Sequence, residues 1–266
     1  MTGSVLRIAR NDFLNVRRSR LLWGVVATYG LFVALLVGSG VTSDITSATQ
    51  LLVGVTGVTA IVLPVVAIVA GYLALAGERE SGTINVRLGL PDSRLAVLLG
   101  KLLSRGATVV LGLGAAFTLA LAIAVWMFGT VDAGVYARFV AVSTLFALVN
   151  AAVAVGISAL AATRARAMTL AGAYYVAGNV LWMVAESAVV GAVRSVVGLF
   201  GADLSTRGAA FVTAISPMDA YLTAVQLVFA PTEAGTVAWF GVASLLAWGV
   251  AVPSIGYWRF RTAELA

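Results

Sequence analysis

The chain contains neither cysteine nor histidine, and only 11% of its residues are charged. Without thiols there are no disulfides and no thiolate nucleophile. Without imidazole the commonest general base and a principal transition-metal ligand are gone. A metal held by carboxylates alone would need them gathered, and the Asp and Glu residues are scattered, so no metal or cofactor is expected. The scarcity of charge also decides the solvent. A soluble domain carries about 25% charged residues, whereas here 61% of the residues are apolar and the mean hydropathy is +1.03. Such a surface belongs in lipid.

A spanning helix needs about 20 mostly apolar residues to cross about 30 Å of hydrocarbon. Six stretches qualify: Leu21–Gly38, Leu51–Ala76, Gly106–Phe128, Phe139–Ala162, Met168–Val193 and Thr236–Trp258. The expected fold is therefore all-α and polytopic, a single membrane domain over 1–266 with no internal repeat. The first stretch is longer than a signal-peptide core and follows Arg17, Arg18 and Arg20, so it reads as a retained helix.

Cations fix the expected orientation. With the N-terminus inside, only Arg138, Arg194 and Arg207 of the 17 Lys and Arg residues fall in outer segments. That asymmetry predicts two cytoplasmic termini and a multi-pass protein of the cell membrane. It also accounts for the net charge of +6 without nucleic acid, since basic residues beside spans meet anionic headgroups. Membrane lipid is thus an expected partner and nucleic acid is not.

Three segments stand apart from the spans. Residues 1–20 place Val5, Ile8, Phe13 and Val16 near one helical face, with Arg7, Arg10, Arg17 and Arg18 mostly elsewhere, the pattern of an interfacial amphipathic helix. Residues 194–235 hold apolar pieces, Ala209–Ile215 and Tyr221–Ala230, too short to cross the bilayer; they predict interfacial or re-entrant helices before the last span. Residues 77–105 form the longest inner loop. Gly82 permits a turn, Pro91 disfavours helix at Leu90, and Ser93 is placed to cap the helix leading into the third span.

That loop reads Glu78-Arg79-Glu80-Ser81-Gly82-Thr83, then Leu90-Pro91, Ser93-Arg94 and Leu98-Leu99-Gly100-Lys101. It resembles the first cytoplasmic loop of ABC-2 type ABC transporter permeases, the family that includes permeases of nitrous-oxide-reductase maturation. Ser216-Pro217 and Ala220-Tyr221 resemble that family's outer gate region. The resemblance implies an exporter permease that is not itself an enzyme, with a separate ABC ATPase chain as partner and a homodimer or heterodimer of permeases. It implies ATPase coupling through Glu78, Arg79, Glu80, Ser81, Gly82, Thr83, Pro91, Ser93 and Arg94. The residues agree on one point: no Gly-x-x-x-x-Gly-Lys-Ser/Thr loop is present, and the single lysine, Lys101, follows Gly100 without that spacing.

Glu186 lies inside the fifth apolar run. A carboxylate at depth must face protein or water, so with Pro217 and Tyr221 it is a candidate gate or pathway residue, unless it lies close enough to the outer surface, near Arg194, to be hydrated. Trp23, Trp126, Trp182, Trp239 and Trp258 sit toward span ends, as an aromatic belt would. Two other readings use the same residues: a non-transporting accessory or scaffold subunit, and an intramembrane enzyme, which would need paired carboxylates at depth.

Overall fold

A computed structural model of the chain describes residues 2–17, 24, 27–28, 30–32, 45–84 and 93–263. The protein is an all-α polytopic membrane protein. Among the described residues five helical segments are long and apolar enough to cross a bilayer. The predicted first span, Leu21–Gly38, falls largely outside them, as do Leu90, Pro91, Arg87 and Trp23.

Helix α1 covers Thr2–Arg17. Helix α2, Ala48–Gly71, continues through a turn at 72–75 into the short α3, Ala76–Glu80. Helix α4, Arg94–Phe128, starts well before the predicted third span because Ser93 caps it, its hydroxyl accepting from the Ala96 amide at 3.1 Å. At ~1.5 Å per residue its 35 residues run ~52 Å, so its first turns must project beyond the hydrocarbon. Helix α5, Ala133–Leu160, is capped by Asp132. Helix α6, Arg164–Tyr175, is capped by Thr163 and passes through a π-helical turn, Val176–Leu181, into α7, Trp182–Leu199. Three short helices follow, α8 (Thr206–Thr213), α9 (Pro217–Ala224) and α10 (Gln226–Phe229), before α11, Thr236–Thr262.

Helix α5 is the hub. It packs on α2, α4, α9 and α11, and its middle carries Phe146, Ala147, Val153 and Ala154 in the core. Small residues set how closely its neighbours approach. A Cβ on Gly156 would sit 2.7 Å from the Pro253 nitrogen in α11, and one on Gly256 would sit closer still to the Gly156 carbonyl. Gly71 of α2 is seated the same way, 2.8 Å from Ala154 Cβ. Lipid supplies no hydrophobic drive between helices, so close backbone contact of this kind is a main source of association.

The segment before the last span folds into the short helices expected of it, and α9 enters the bundle. Tyr221 is fully buried, its ring stacked on Phe146 at 4.5 Å and its hydroxyl 3.0 Å from Ser143 Oγ. Ser143 and Phe146 lie ten and more residues into α5, roughly 15–20 Å from its start. Gly241 of α11 admits this helix: a Cβ there would meet the Ala220 carbonyl at 2.6 Å. The segment is therefore re-entrant in geometry, with its backbone covered by protein as depth requires.

Replacing Gly156 by Leu should cost at least about 3 kcal/mol, since the obstacle is backbone and cannot rotate aside. Thermal unfolding in detergent measures this, and an unchanged melting temperature would contradict the packing described.

Candidate functional site

The polar end of the bundle is organised around α3. Helix α2 stops at Gly71, and the turn that follows would leave two amides buried. The hydroxyl of Ser158 in α5 accepts from both, Leu75 N at 2.9 Å and Ala76 N at 3.0 Å. This pins α3 against the end of α5. Gly82 then turns the chain with φ of +71°, a left-handed conformation that a side chain would strain.

Three charged residues described in the segment, Arg79, Glu80 and Arg94, each reach the end of a different helix. Arg79 donates to the Ala159 and Ala161 carbonyls, at 3.4 and 3.0 Å, at the C-terminus of α5. Glu80 accepts from the Arg164 amide at 2.5 Å, at the N-terminus of α6. Arg94 donates to the Phe260, Arg261 and Ala263 carbonyls at 2.7, 2.9 and 2.9 Å, at the C-terminus of α11, and lies 5.7 Å from the centre of the Phe260 ring. The signs follow the helix dipole throughout, cations at carbonyl ends and an anion at an amide end.

Glu78 makes the fourth link. Its Oε1 lies 2.6 Å from Lys101 Nζ, and the same ammonium binds Asp12 of α1. Arg105, one turn on, approaches the other Asp12 oxygen at 3.4 Å and donates to the Ala70 carbonyl at 3.2 Å. Lys101 is 1% exposed. Burial alone would raise the Asp12 pKa, but the fields of Lys101 and Arg105 outweigh it and hold the carboxyl below its ordinary range. The stabilisation from this ionised latch is therefore complete above the usual carboxylate range, and is lost as pH falls through the lower folded-state value.

The residues expected to meet an ATPase thus divide. Glu78, Arg79 and Arg94 turn inward to hold other helices, Glu80 stays exposed while bonding the start of α6, and Ser93 is a helix cap. Ser81 and Thr83 form the exposed apex, their hydroxyls 2.9 Å apart, with Gly82 between them. Ile84 anchors the far side at 1% exposure. Pro91 lies outside the described residues.

Asp12, Lys101, Arg105 and Ser158 were missed as site residues by sequence reasoning. Two signals were there to find. Lys101 is the only lysine in the chain, and Asp12 is the one acidic residue in a basic helix, four positions from the core residue Ile8. The inward stripe of α1 accordingly runs Val5–Ile8–Asp12, with Ile8 and Asp12 buried and Val5 and Phe13 half-buried.

At the opposite end, α7 carries the half-buried Trp182 and Glu186 beside α9. The Asp219 carboxylate acts on Glu186 and faces the Trp182 indole N–H. Ser216 caps α9, accepting from the Asp219 amide and donating to Asp219 Oδ2, both at 3.1 Å. Burial raises the Asp219 pKa, and these hydrogen bonds only partly offset it. Pro217 packs beside Gly178 in the π-helical turn. Glu186, Pro217 and Tyr221 thus converge on one re-entrant helix.

Comparison with known proteins gives two findings. A family model described as ABC-2 family transporter protein matches residues 6–265. The chain is also 28% identical, over 171 residues or 61% of its length, to the probable ABC transporter permease protein NosY of Pseudomonas aeruginosa PAO1. It spans 62% of that relative's length.

Lys101→Met should destabilise the protein by about 3–5 kcal/mol, because it takes the ammonium from Asp12 and Glu78 and leaves the buried Asp12 carboxylate only its longer contact with Arg105. The Lys101→Met/Asp12→Leu double variant should recover part of that loss, a coupling readable in denaturation of the detergent-solubilised chain. Strict additivity would show that the two side chains do not act as a pair.

Proposed function

The chain belongs to the ABC-2 family of transporter proteins, and on that premise we propose that it is the transmembrane permease subunit of an ATP-driven ABC exporter. Both termini and residues 77–105 face the cytoplasm, and a separate ABC ATPase chain docks on the Ser81–Thr83 apex.

One observation carries this reading: an exposed apex is flanked by charges that each grip another helix. Glu78 leads to α4 and α1, Arg79 to α5, Glu80 to α6, and Arg94 to α11. A force applied at Ser81–Thr83 is delivered to the ends of most of the bundle at once. ATP on the partner can drive rearrangement only if the ATPase grips one permease conformation more tightly than the other. The ends that move relative to one another are the ones this segment joins.

Helix α5 then connects input to output. Its inner end receives Ser158 and Arg79 contacts, while its middle holds Tyr221 of the re-entrant helix. Glu186, Pro217 and Tyr221 form the outer gate in this reading. Two permease copies complete the path, each presenting α7, where Met183, Val184 and Leu199 are exposed.

The chain lacks cysteine, so a Thr83→Cys variant carries a single label site. A membrane-impermeant maleimide should modify it in inside-out vesicles and not on intact cells; the reverse result would overturn the orientation and the coupling role together. Thr83→Arg should lower ATPase affinity at least about tenfold, near 1.4 kcal/mol, with little change in thermal stability. Undiminished co-purification of the ATPase would remove the apex from the contact.

A further inference from the structure

Where α7 meets α9, three oxygen acceptors gather with no described cation of the chain to match them. Glu186 lies within the field of the Asp219 carboxylate, and the ion pairs among the described residues all belong to Asp12 and Glu78. The third acceptor is Asn179, in the π-helical turn and 2% exposed. We propose that this junction binds a primary ammonium group, carried by a soluble amine or by an aminophospholipid headgroup, and that the group belongs to the exporter's cargo.

Asn179 adds what two carboxylates alone would not. Its amide nitrogen donates to the Tyr175 carbonyl at 3.0 Å, which fixes the amide's orientation, because a carbonyl can pair only with the NH2 end. The other end, Oδ1, is buried without a partner among the described residues. An acceptor left so at membrane depth costs free energy unless something donates to it. Spacing gives its direction. Asn179, Trp182 and Glu186 follow one another at three and four residues and so share a face, which continues along α7 as the half-buried Val189 and Val193. Outside α6 and α7, the helix that chiefly packs on the π turn is α9, with Pro217 beside Gly178. In the middle of the shared face, the Trp182 indole N–H is directed at Asp219.

The chemistry of the set selects the occupant. An ammonium offers three donors and no acceptor, and its bonds to carboxylates are charge-assisted. Trp182 stands between Asn179 and Glu186 on that face; an indole attracts an alkylammonium but has no lone pair to give a metal. A proton shared by the two carboxylates would relieve their repulsion and leave Asn179 Oδ1 unanswered. Depth admits both carriers. On the orientation proposed above, Asn179 lies about 22 Å and Glu186 about 33 Å along the helical segment that starts at Arg164. Against about 30 Å of hydrocarbon, the site opens at the outer boundary and reaches into the outer leaflet.

An ammonium held between Glu186 of α7 and Asp219 of α9 would clamp the re-entrant helix that carries Tyr221, so occupancy and gate position are linked. This cargo half rests on the exporter reading above; the binding half does not.

The binding arm follows thermal unfolding of the detergent-solubilised permease with hexylammonium, against hexyltrimethylammonium, which carries the same charge and no N–H donor. Hexylammonium should raise the melting temperature and the quaternary ion should not. Glu186→Gln, at a half-buried position, and Asn179→Leu, which removes the buried oxygen, should each weaken the apparent affinity about tenfold. Equal protection by both ions, protection by magnesium instead, or protection indifferent to both variants would overturn the site. No protection at all would overturn it too, the result expected if an arginine of a second copy fills the junction. Native mass spectrometry with equal amounts of phosphatidylethanolamine and phosphatidylcholine separates the carriers. Preferential retention of phosphatidylethanolamine, lost in Glu186→Gln, assigns the lipid; equal retention beside intact hexylammonium protection assigns a soluble amine. The cargo arm adds the ATPase in phosphatidylcholine nanodiscs, where hexylammonium should raise ATP hydrolysis and Glu186→Gln should abolish the rise. An unchanged rate with protection intact would overturn the cargo role and leave the site. No permease-stimulated hydrolysis under any condition would instead sink the exporter reading.

Discussion

A single ammonium group, buried to 1% exposure at the polar end of a membrane bundle, constrains the rest of this structure. Lys101 is tolerable there because two carboxylates from different elements close on it, Asp12 of α1 and Glu78 of α3. Removing Lys101 or Asp12 strips a buried charge of its nearest partner, which is far costlier than losing a surface pair. The interfacial helix, the loop and the first turns of α4 therefore hold their positions together. Electrostatics at this end does what close packing does elsewhere in the bundle.

Elsewhere the organising element is α5. Small residues let neighbouring backbones touch it, with Gly156 against Pro253 and Gly256, and Gly71 against Ala154. Such contacts are rigid because backbone cannot yield as a flexible side chain can. A rod so held joins Ser158 at one end to the Phe146–Tyr221 stack in its middle. On the proposed reading, this is the route between the docking segment and the outer gate. The charges of the segment add reach, since Arg79, Glu80 and Arg94 are each matched to a helix terminus whose dipole they complement.

Much of the architecture was legible in sequence. Apolar runs located the five spans found among the described residues, Ser93 was recognised as a cap, and the short helices before the last span were anticipated from runs too brief to cross lipid. The family likeness was carried by Glu78–Lys101 and by Ser216–Tyr221. The direction of the side chains was another matter. Glu78, Arg79, Glu80 and Arg94 were read as coupling residues for a partner, and what the sequence did not give is the group of its own bundle that each one bonds. Glu186 was weighed against Arg194 as a neighbour, and the group that acts on it is Asp219.

Sequence by itself determined that this chain enters a membrane, where its helices run and which family it belongs to. The first two depend on the local free energy of placing each residue in lipid, which can be summed along the chain, and the third on local motifs. Only the tertiary structure decided which charge answers which. Asp12 meets Lys101 across 89 positions and Arg94 meets the Phe260 carbonyl across 166. No periodicity encodes such pairs. They exist because helices remote in sequence end at the same depth, and buried charges there must find partners among whatever the fold brings close.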